Sequence, residues 1–144
     1  MDDPTLAANI LERTGMADNS EIVRGLYAAF GRGDIPAVMQ TLAADVRWTE
    51  AEGFPHGGTY SGPDAVLQNV IMNLGAEWEA FSVSLEELVA SGDTVVSLGL
   101  YSGVYKATGK KFSAPFAHVW TLRDGKVARF RQHTDTAVVQ RALR

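Results

Sequence analysis

The stretch "FAHVWTLRDGKVARFRQHTD", residues 116–135, predicts a β-hairpin. Phe116, His118 and Trp120 recur at alternate positions in the first half, as residues do on one face of a strand. In the second half, Phe130 and Gln132 have the parity opposite to that of the basic residues. The "RDGK" between the halves is typical of a tight hairpin turn. The same alternation begins after residue 80, where segments 81–90 and 94–107 flank an "SGD" turn. The second half of the chain therefore predicts a meander of antiparallel strands, and Gly99 or Gly103 would allow a bend or bulge in the long one.

The first half of the chain has a helical period instead. Ile22, Val23, Leu26, Tyr27 and Phe30 recur at helical spacing, and "GRGD" at 31–34 ends that helix. Asp34 is a typical N-cap for a second helix. A strand at 46–50, a third helix near 63–74 and, at the end of the chain, a last helix at 136–142 are also expected. A short helix is also expected over residues 4–14.

This order of elements predicts the α+β class, with helices covering one face of a curved, mainly antiparallel sheet and enclosing a conical pocket. A single domain is expected over residues 1–144, of which residues 1–18 could form an N-terminal extension.

Composition limits the classes of function. The net charge of −4 argues against a nucleic-acid partner. No apolar run approaches the roughly 20 residues that span a bilayer, and the first residues lack the pattern of a secretory signal. The absence of cysteine excludes disulfides and thiolate chemistry. We therefore expect a cytoplasmic protein with no membrane partner.

The charges are distributed unevenly along the chain. Residues 1–105 carry a net charge of −11, and residues 106–144 carry +7. A basic patch for an anionic partner is one interpretation. The other, which we favour because the basic residues are dispersed along strands, is that late strands pair with acidic segments within the chain or across a dimer.

Three polar residues fall on apolar strand faces. Glu50 is in phase with Val46 and Trp48, His118 lies in a row of aromatic residues, and Gln132 shares a face with Phe130. Burial would raise the pKa of Glu50 towards the range that is useful for proton transfer near neutrality. We expect Glu50, His118 and Gln132 to be catalytic in one apolar pocket. Its substrate-binding walls are expected to be Trp48, Tyr60, Tyr101, Phe116, Trp120 and Phe130, with Tyr60, Tyr101, His56 and Asp135 at the rim.

Each of these residues also has a purely structural interpretation. A carboxylate at the end of a strand can simply reach solvent, as Glu50 would. His118 could be a hydrogen-bonded core residue, and Gln132 could satisfy backbone groups. Asp135, followed by a threonine, fits the N-cap of the final helix. The histidines at 56, 118 and 133 lack metal-ligand spacing, so no metal and no cofactor are expected.

Several segments together resemble a known family. "VRGLYAAFGRGDIPAVMQTLAADVRWTE" at 23–50, "GTYSGPDAV" at 58–66, "SGDTVV", "TGKKF" and the 116–135 hairpin are similar to SnoaL-like, ketosteroid-isomerase-related proteins of the nuclear-transport-factor-2-like superfamily. That superfamily contains isomerases, cyclases, epoxide hydrolases, dehydratases and non-catalytic members, so the resemblance implies the fold more strongly than the function.

The resemblance implies that this chain has one catalytic residue of ketosteroid isomerase and one of the SnoaL-type cyclases. The catalytic aspartate of ketosteroid isomerase falls on Glu50, whereas its oxyanion tyrosine falls on Leu26, one residue before Tyr27. Its protonated aspartic acid falls on Ala117, so both oxyanion donors are expected to be missing. The histidine of SnoaL-type cyclases resembles His118.

Three further positions argue against other chemistries of the superfamily. The aspartate base of the cyclases falls on Gln132. The arginine and two aspartates of the epoxide hydrolases fall on Gly99, Tyr101 and Gln132, which excludes that chemistry.

Two functions follow as hypotheses. The first is a cofactor-independent isomerase or cyclase-type enzyme that performs general acid–base chemistry on a small apolar carbonyl compound. The alternative is a non-catalytic module of the same fold that binds a small molecule or dimerises. In both cases the resemblance implies a homodimer formed through the open sheet face, where Arg129, Arg131 and His133 would lie.

Overall fold

The computed structural model describes residues 19–144, so the helix expected at 4–14 and the extension at 1–18 lie outside it. No helix among the described residues is both long and apolar enough to cross a membrane. The elements in chain order are helical residues 19–31 (α1), Ile35–Gln40 (α2), Leu42–Glu50 (β1), Gly58–Ser61 (β2), Pro63–Val66 (α3), a π-helical turn at Leu67–Ile71, Met72–Glu77 (α4), Trp78–Ser91 (β3), Thr94–Tyr105 (β4), Lys110–Arg123 (β5), Lys126–Thr134 (β6) and Thr136–Ala142 (α5).

The six strands form one sheet in the order β2-β1-β6-β5-β4-β3. All neighbours are antiparallel except β1 and β6, which run parallel near the middle. The predicted hairpin is present as β5 and β6, and it sets His118 opposite Gln132. The α+β class and the mainly antiparallel sheet are confirmed, and the parallel pair makes the sheet mixed.

Four register shifts interrupt the pairing of the sheet, and two of them lie between β3 and β4. The pairing of β3 with β4 shifts register at residues 79–82 and again at 85–87. The first shift faces Gly103 and the second begins at Gly99, the two glycines that the sequence marks for a bend. A bulge increases local twist and bends its strand, which here gives the sheet a concave face.

The helices fill that concave face with their apolar stripes. Val23 of α1, Val38 of α2 and Val66 of α3 are buried in one cluster with residues of β1, β5 and β6. Tyr27 of α1 packs at the border of this cluster and a second one around Phe116. The predicted inward stripe of α1 therefore places a tyrosine directly above the sheet.

Asp135 is the N-cap of α5. Its carboxylate accepts a hydrogen bond of 3.2 Å from the backbone N–H of Val138. Replacing it with alanine should lower the free energy of unfolding by about 1 kcal/mol, because that N–H would lose its partner. Asp135→Asn, which keeps an acceptor oxygen, should retain most of the stability. Chemical denaturation checks both variants, and an alanine variant as stable as the wild type would contradict the capping role.

Candidate active site

An apolar cavity lies between the helices and the concave sheet face. Its free space is about 590 Å³, counted out to its opening to solvent. Its apolar lining comes from helices, strands and the loop after β1: Leu26, Phe30, Val38, Trp48, Phe54, Val70, Ile71, Leu74, Phe81, Val83, Trp120 and Phe130. Its polar lining residues are Tyr27, Glu50, Tyr101, His118 and Gln132.

The structure brings Glu50, His118 and Gln132 together, as strand alternation predicts. They come from β1, β5 and β6, which are adjacent in the sheet. Only 5%, 4% and 4% of their respective surfaces are exposed, and all three line the same cavity. Their inward placement is therefore a structural fact, while their catalytic roles stay predictions.

Glu50 has one bonded and one unbonded carboxylate oxygen. Oε1 accepts a 2.8 Å hydrogen bond from the indole Nε1 of Trp48, two residues earlier on the same face of β1. Oε2 is buried without a hydrogen-bond partner. Burial raises the pKa of Glu50 from 4.5 to about 7, against a smaller opposite effect of the Trp48 hydrogen bond. The cavity thus contains a carboxyl group that is both base and acid near neutral pH.

His118 is held between two tyrosines. Its Nδ1 is 2.5 Å from the hydroxyl of Tyr27, and its Nε2 is hydrogen-bonded to the hydroxyl of Tyr101. Burial lowers the pKa of His118 to about 3, with a smaller contribution from the charge of His133. The imidazole is therefore neutral at physiological pH, with one N–H and one acceptor nitrogen.

The hydrogen bonds continue on both sides of this histidine. On one side, Tyr27 Oη lies 2.5 Å from Ser97 Oγ, which accepts from Trp120 Nε1 at 2.9 Å. On the other side, Gln132 Nε2 donates to Tyr101 Oη at 2.9 Å. We call this set the hydrogen-bonded chain: Trp120, Ser97, Tyr27, His118, Tyr101 and Gln132. Burial raises the pKa of both phenols, so they carry their protons at neutral pH.

Three hydroxyl groups of the hydrogen-bonded chain differ from what the sequence predicts. Tyr27 supplies a phenol to the cavity, although alignment with ketosteroid isomerase places Leu26 at the tyrosine position and leaves the site without a donor. Tyr101, expected at the rim, is 4% exposed and lies inside. Ser97 was missed, although the alternation of β4 places it on the same face as Tyr101.

The expected walls divide into three groups. Four of them line the cavity: Trp48, Tyr101, Trp120 and Phe130. Phe116 is buried behind it, where its ring stacks on His118 with the centroids 4.1 Å apart. Tyr60 is not among the lining residues, and its hydroxyl donates to the backbone carbonyl oxygen of His56 at 2.6 Å.

His56 belongs to the loop between β1 and β2, which also contributes Phe54 to the cavity wall. Its Nε2 contacts the carboxylate of Glu77 at the end of α4, and its backbone has a φ of 61°. The contact joins the loop to the helix beside the cavity. Within residues 19–144, no three His, Asp or Glu side chains are grouped so that they could share a metal ion.

A curved sheet that wraps around helices and encloses one cavity with polar groups on its strands is the architecture of nuclear-transport-factor-2-like proteins. The chain belongs to the SnoaL-like domain family, whose model matches residues 23–130. The family resemblance seen in the sequence is thereby confirmed.

Solved structures agree with this assignment. An NTF2-like protein of Burkholderia thailandensis is 43% identical, with 88% of this chain and 97% of that chain covered and a TM-score of 0.85. An NTF2-like protein of unknown function from Burkholderia pseudomallei is 34% identical, with 87% and 96% covered and a TM-score of 0.80. TerC, co-crystallized with polyporic acid, is 26% identical, with 88% and 98% covered and a TM-score of 0.79. No curated protein matches the chain.

Proposed function

We propose that this protein is a cofactor-independent enzyme of the isomerase or cyclase type that moves a proton at a carbon next to the carbonyl group of a small apolar molecule. The observation that supports this most is the unpartnered Oε2 of Glu50. An unpaired buried acceptor is costly, and here it belongs to a cavity-lining residue. A substrate C–H placed there would meet a base of suitable pKa.

The proposed reaction begins with ionised Glu50. Its Oε2 takes the proton from the carbon next to the carbonyl, and the electron pair of that C–H bond forms a C=C bond as the carbonyl oxygen becomes an enolate. For an isomerisation, Glu50 returns the proton to another carbon of the conjugated system. For a cyclisation, the enolate carbon attacks a second carbonyl carbon of the same molecule, and the oxygen of that carbonyl takes up the proton.

The surroundings of Glu50 suit this role. The hydrogen bond from Trp48 fixes the carboxylate while leaving Oε2 available. The walls are otherwise apolar, and such surroundings strengthen the electrostatic effect of each remaining polar group. Both nitrogens of His118 are occupied by tyrosines, so we propose that His118 acts through these hydroxyl groups. Gln132 is proposed to orient Tyr101 by its hydrogen bond.

The composition of the cavity supports an apolar substrate with few polar groups. Twelve of its seventeen lining residues are apolar. The five polar ones are the two tyrosines, Tyr27 and Tyr101, and the three strand residues Glu50, His118 and Gln132. The co-crystal of TerC with polyporic acid shows that a relative with this fold was crystallised with a small organic molecule.

A small-molecule-binding module is the second candidate function. It is favoured by the lack of any lysine or arginine among the lining residues of this cavity, since a cation would be a strong stabiliser of an enolate. The homodimer and the cytoplasmic location stay predictions. Arg129 and His133 are exposed and Arg131 is half-buried, all on the sheet face away from the cavity, as the dimer prediction requires.

Hydrogen–deuterium exchange separates the two candidates. The methyl hydrogens of 2-acetonaphthone lie next to a carbonyl, and NMR in D2O measures their exchange. We expect the protein to accelerate exchange above buffer, with a rate that rises with pH and reaches half its maximum near pH 7. The reason is that only ionised Glu50 accepts a proton and its pKa is about 7. Bound ketone that exchanges no faster than in buffer would instead indicate a binding module.

A further inference from the structure

The hydrogen-bonded chain has donors fixed at both ends. The backbone N–H of Ala51 can only donate, and it donates to Gln132 Oε1 at 2.9 Å. The amide of Gln132 is therefore oriented with its Nε2–H towards Tyr101. At the other end, the indole N–H of Trp120 can only donate, and its partner is Ser97 Oγ.

Between these ends the number of protons exceeds the number of contacts. Ser97, Tyr27, neutral His118 and Tyr101 each carry one mobile proton. They are joined by three contacts: Ser97 to Tyr27, Tyr27 to His118, and His118 to Tyr101. Each contact holds one proton, so one proton of the chain points out of it in every arrangement of hydroxyls and tautomers.

Because Ser97 is buried, the proton that points out of the chain is not on its hydroxyl group. Ser97 has no exposed surface and is not among the lining residues of the cavity. A buried hydroxyl without an acceptor is destabilising, so Ser97 donates to Tyr27. The outward proton then belongs to Tyr27 or to Tyr101, both of which line the cavity.

The position of Glu50 favours Tyr101. Gln132 joins Tyr101 to Ala51, the residue that follows Glu50. Burial, and after it the negative charge of Glu50, raises the pKa of Tyr101. A carboxylate attracts a hydroxyl proton towards itself, so the proton is best placed on the Tyr101 side, with His118 donating from Nε2.

We propose that Tyr101 is a catalytic residue whose O–H donates a hydrogen bond to the substrate oxygen, and that the substrate is an enolisable carbonyl compound with its oxygen at Tyr101 and its acidic C–H at Glu50. This inference rests on the proposed function and adds the residue that binds the substrate oxygen in the same cavity. His118 and Gln132 are positioning residues: both donate to Tyr101 Oη, which leaves the proton of that hydroxyl for the enolate oxygen. The proton stays on Tyr101 while the hydrogen bond stabilises the enolate.

Two probes of equal shape test the donor without any turnover. 2-Acetonaphthone and 2-isopropenylnaphthalene differ only in a carbonyl oxygen against a CH2 group. The measured quantity is the ratio of their dissociation constants, obtained by titration of the whole protein. Tyr101→Phe should shift this ratio by about 3- to 10-fold against the ketone, the effect of one hydrogen bond.

Tyr105→Phe is the comparison, because it makes the same chemical change outside the cavity lining. It should leave the ratio as in the wild type. A ratio that is unchanged in Tyr101→Phe would overturn the proposal.

A measurement on the unaltered protein covers the case in which Tyr101→Phe does not fold. The ¹⁵N chemical shifts of His118 distinguish its tautomers, and we expect Nε2 to carry the proton. A proton found on Nδ1 would place the outward hydroxyl elsewhere and overturn the proposal. Neither the binding ratio nor the ¹⁵N shifts depend on catalysis of hydrogen–deuterium exchange. A protein that binds the ketone preferentially but does not accelerate this exchange would therefore refute the proposed function, while Tyr101 would remain a hydrogen-bond donor to the ligand.

Discussion

Glu50→Gln should reduce the protein-catalysed exchange of the 2-acetonaphthone methyl hydrogens by about 10²- to 10⁴-fold, the usual contribution of a positioned general base. Glutamine has nearly the same shape, and its amide oxygen can still accept the hydrogen bond that Trp48 gives to Oε1. It cannot take a proton from carbon. Binding of the ketone should therefore persist while exchange is lost.

The same substitution should raise the stability of the protein. The pKa of Glu50 is about 7 in the folded protein and 4.5 as its ordinary value. Below pH 4.5 the group is protonated in both states and contributes nothing. Between pH 4.5 and 7 the unfolded chain loses the proton first, so stability falls. Above pH 7 the full cost, about 3 kcal/mol, is present.

Loss of activity together with gain of stability is therefore expected of Glu50→Gln. Chemical denaturation at pH 4.5 and pH 8 measures the gain, which should be near zero at the lower pH and largest at the higher one. Glu52→Gln is the matched control, because Glu52 is exposed two residues further on, and it should change neither quantity. Full exchange activity in Glu50→Gln would remove Glu50 as the base.

Gly99→Ala should lower the free energy of unfolding by at least about 3 kcal/mol, near the upper end for overpacking. A Cβ at this position would lie 2.0 Å from the carbonyl oxygen of Ser84 and 2.6 Å from the ring of Phe116. The first is backbone of β3, so strand pairing would have to move. The second supports His118 from behind, so the hydrogen-bonded chain would be displaced as well.

A second glycine provides the comparison for this variant. Gly25 lies on the exposed side of α1, and nothing is within 4 Å of a Cβ built there. Gly25→Ala should stabilise the protein by roughly 0.5–1 kcal/mol through helix propensity. Thermal unfolding of both variants measures the contrast. A Gly99→Ala protein that melts with the wild type would show that β3 and β4 can separate at the bulge at little cost.

The sequence was sufficient for the parts of the site that depend on strand alternation. Glu50, His118 and Gln132 each share a strand face with large apolar neighbours. Because a strand has only two faces, knowing which face is apolar is enough to predict that these side chains point into the protein. The turn at residues 123–126 fixed the hairpin, and with it the pairing of His118 with Gln132.

What the sequence did not reveal depends on contacts between distant elements. The hydroxyl of Tyr27 reaches His118 because α1 crosses the sheet at that height, and the spacing within a helix does not report its position over a sheet. Tyr101 was expected at the rim because strand alternation gives the face on which a residue lies but not its depth in the curved sheet. The pairing of β1 with β6 is likewise a long-range contact that no local pattern specifies.

The parallel pair of β1 and β6 also has a consequence for biosynthesis. Glu50 ends β1, while Gln132 lies on β6, which follows every other strand of the sheet along the chain. A nascent chain emerging from the ribosome therefore holds β1 and β2 apart from the β3–β5 meander until β6 is translated. Closure of this long loop is entropically slow. Folding of the sheet should thus be complete only after β6 has left the ribosome, with the acid and the amide meeting in its final stage.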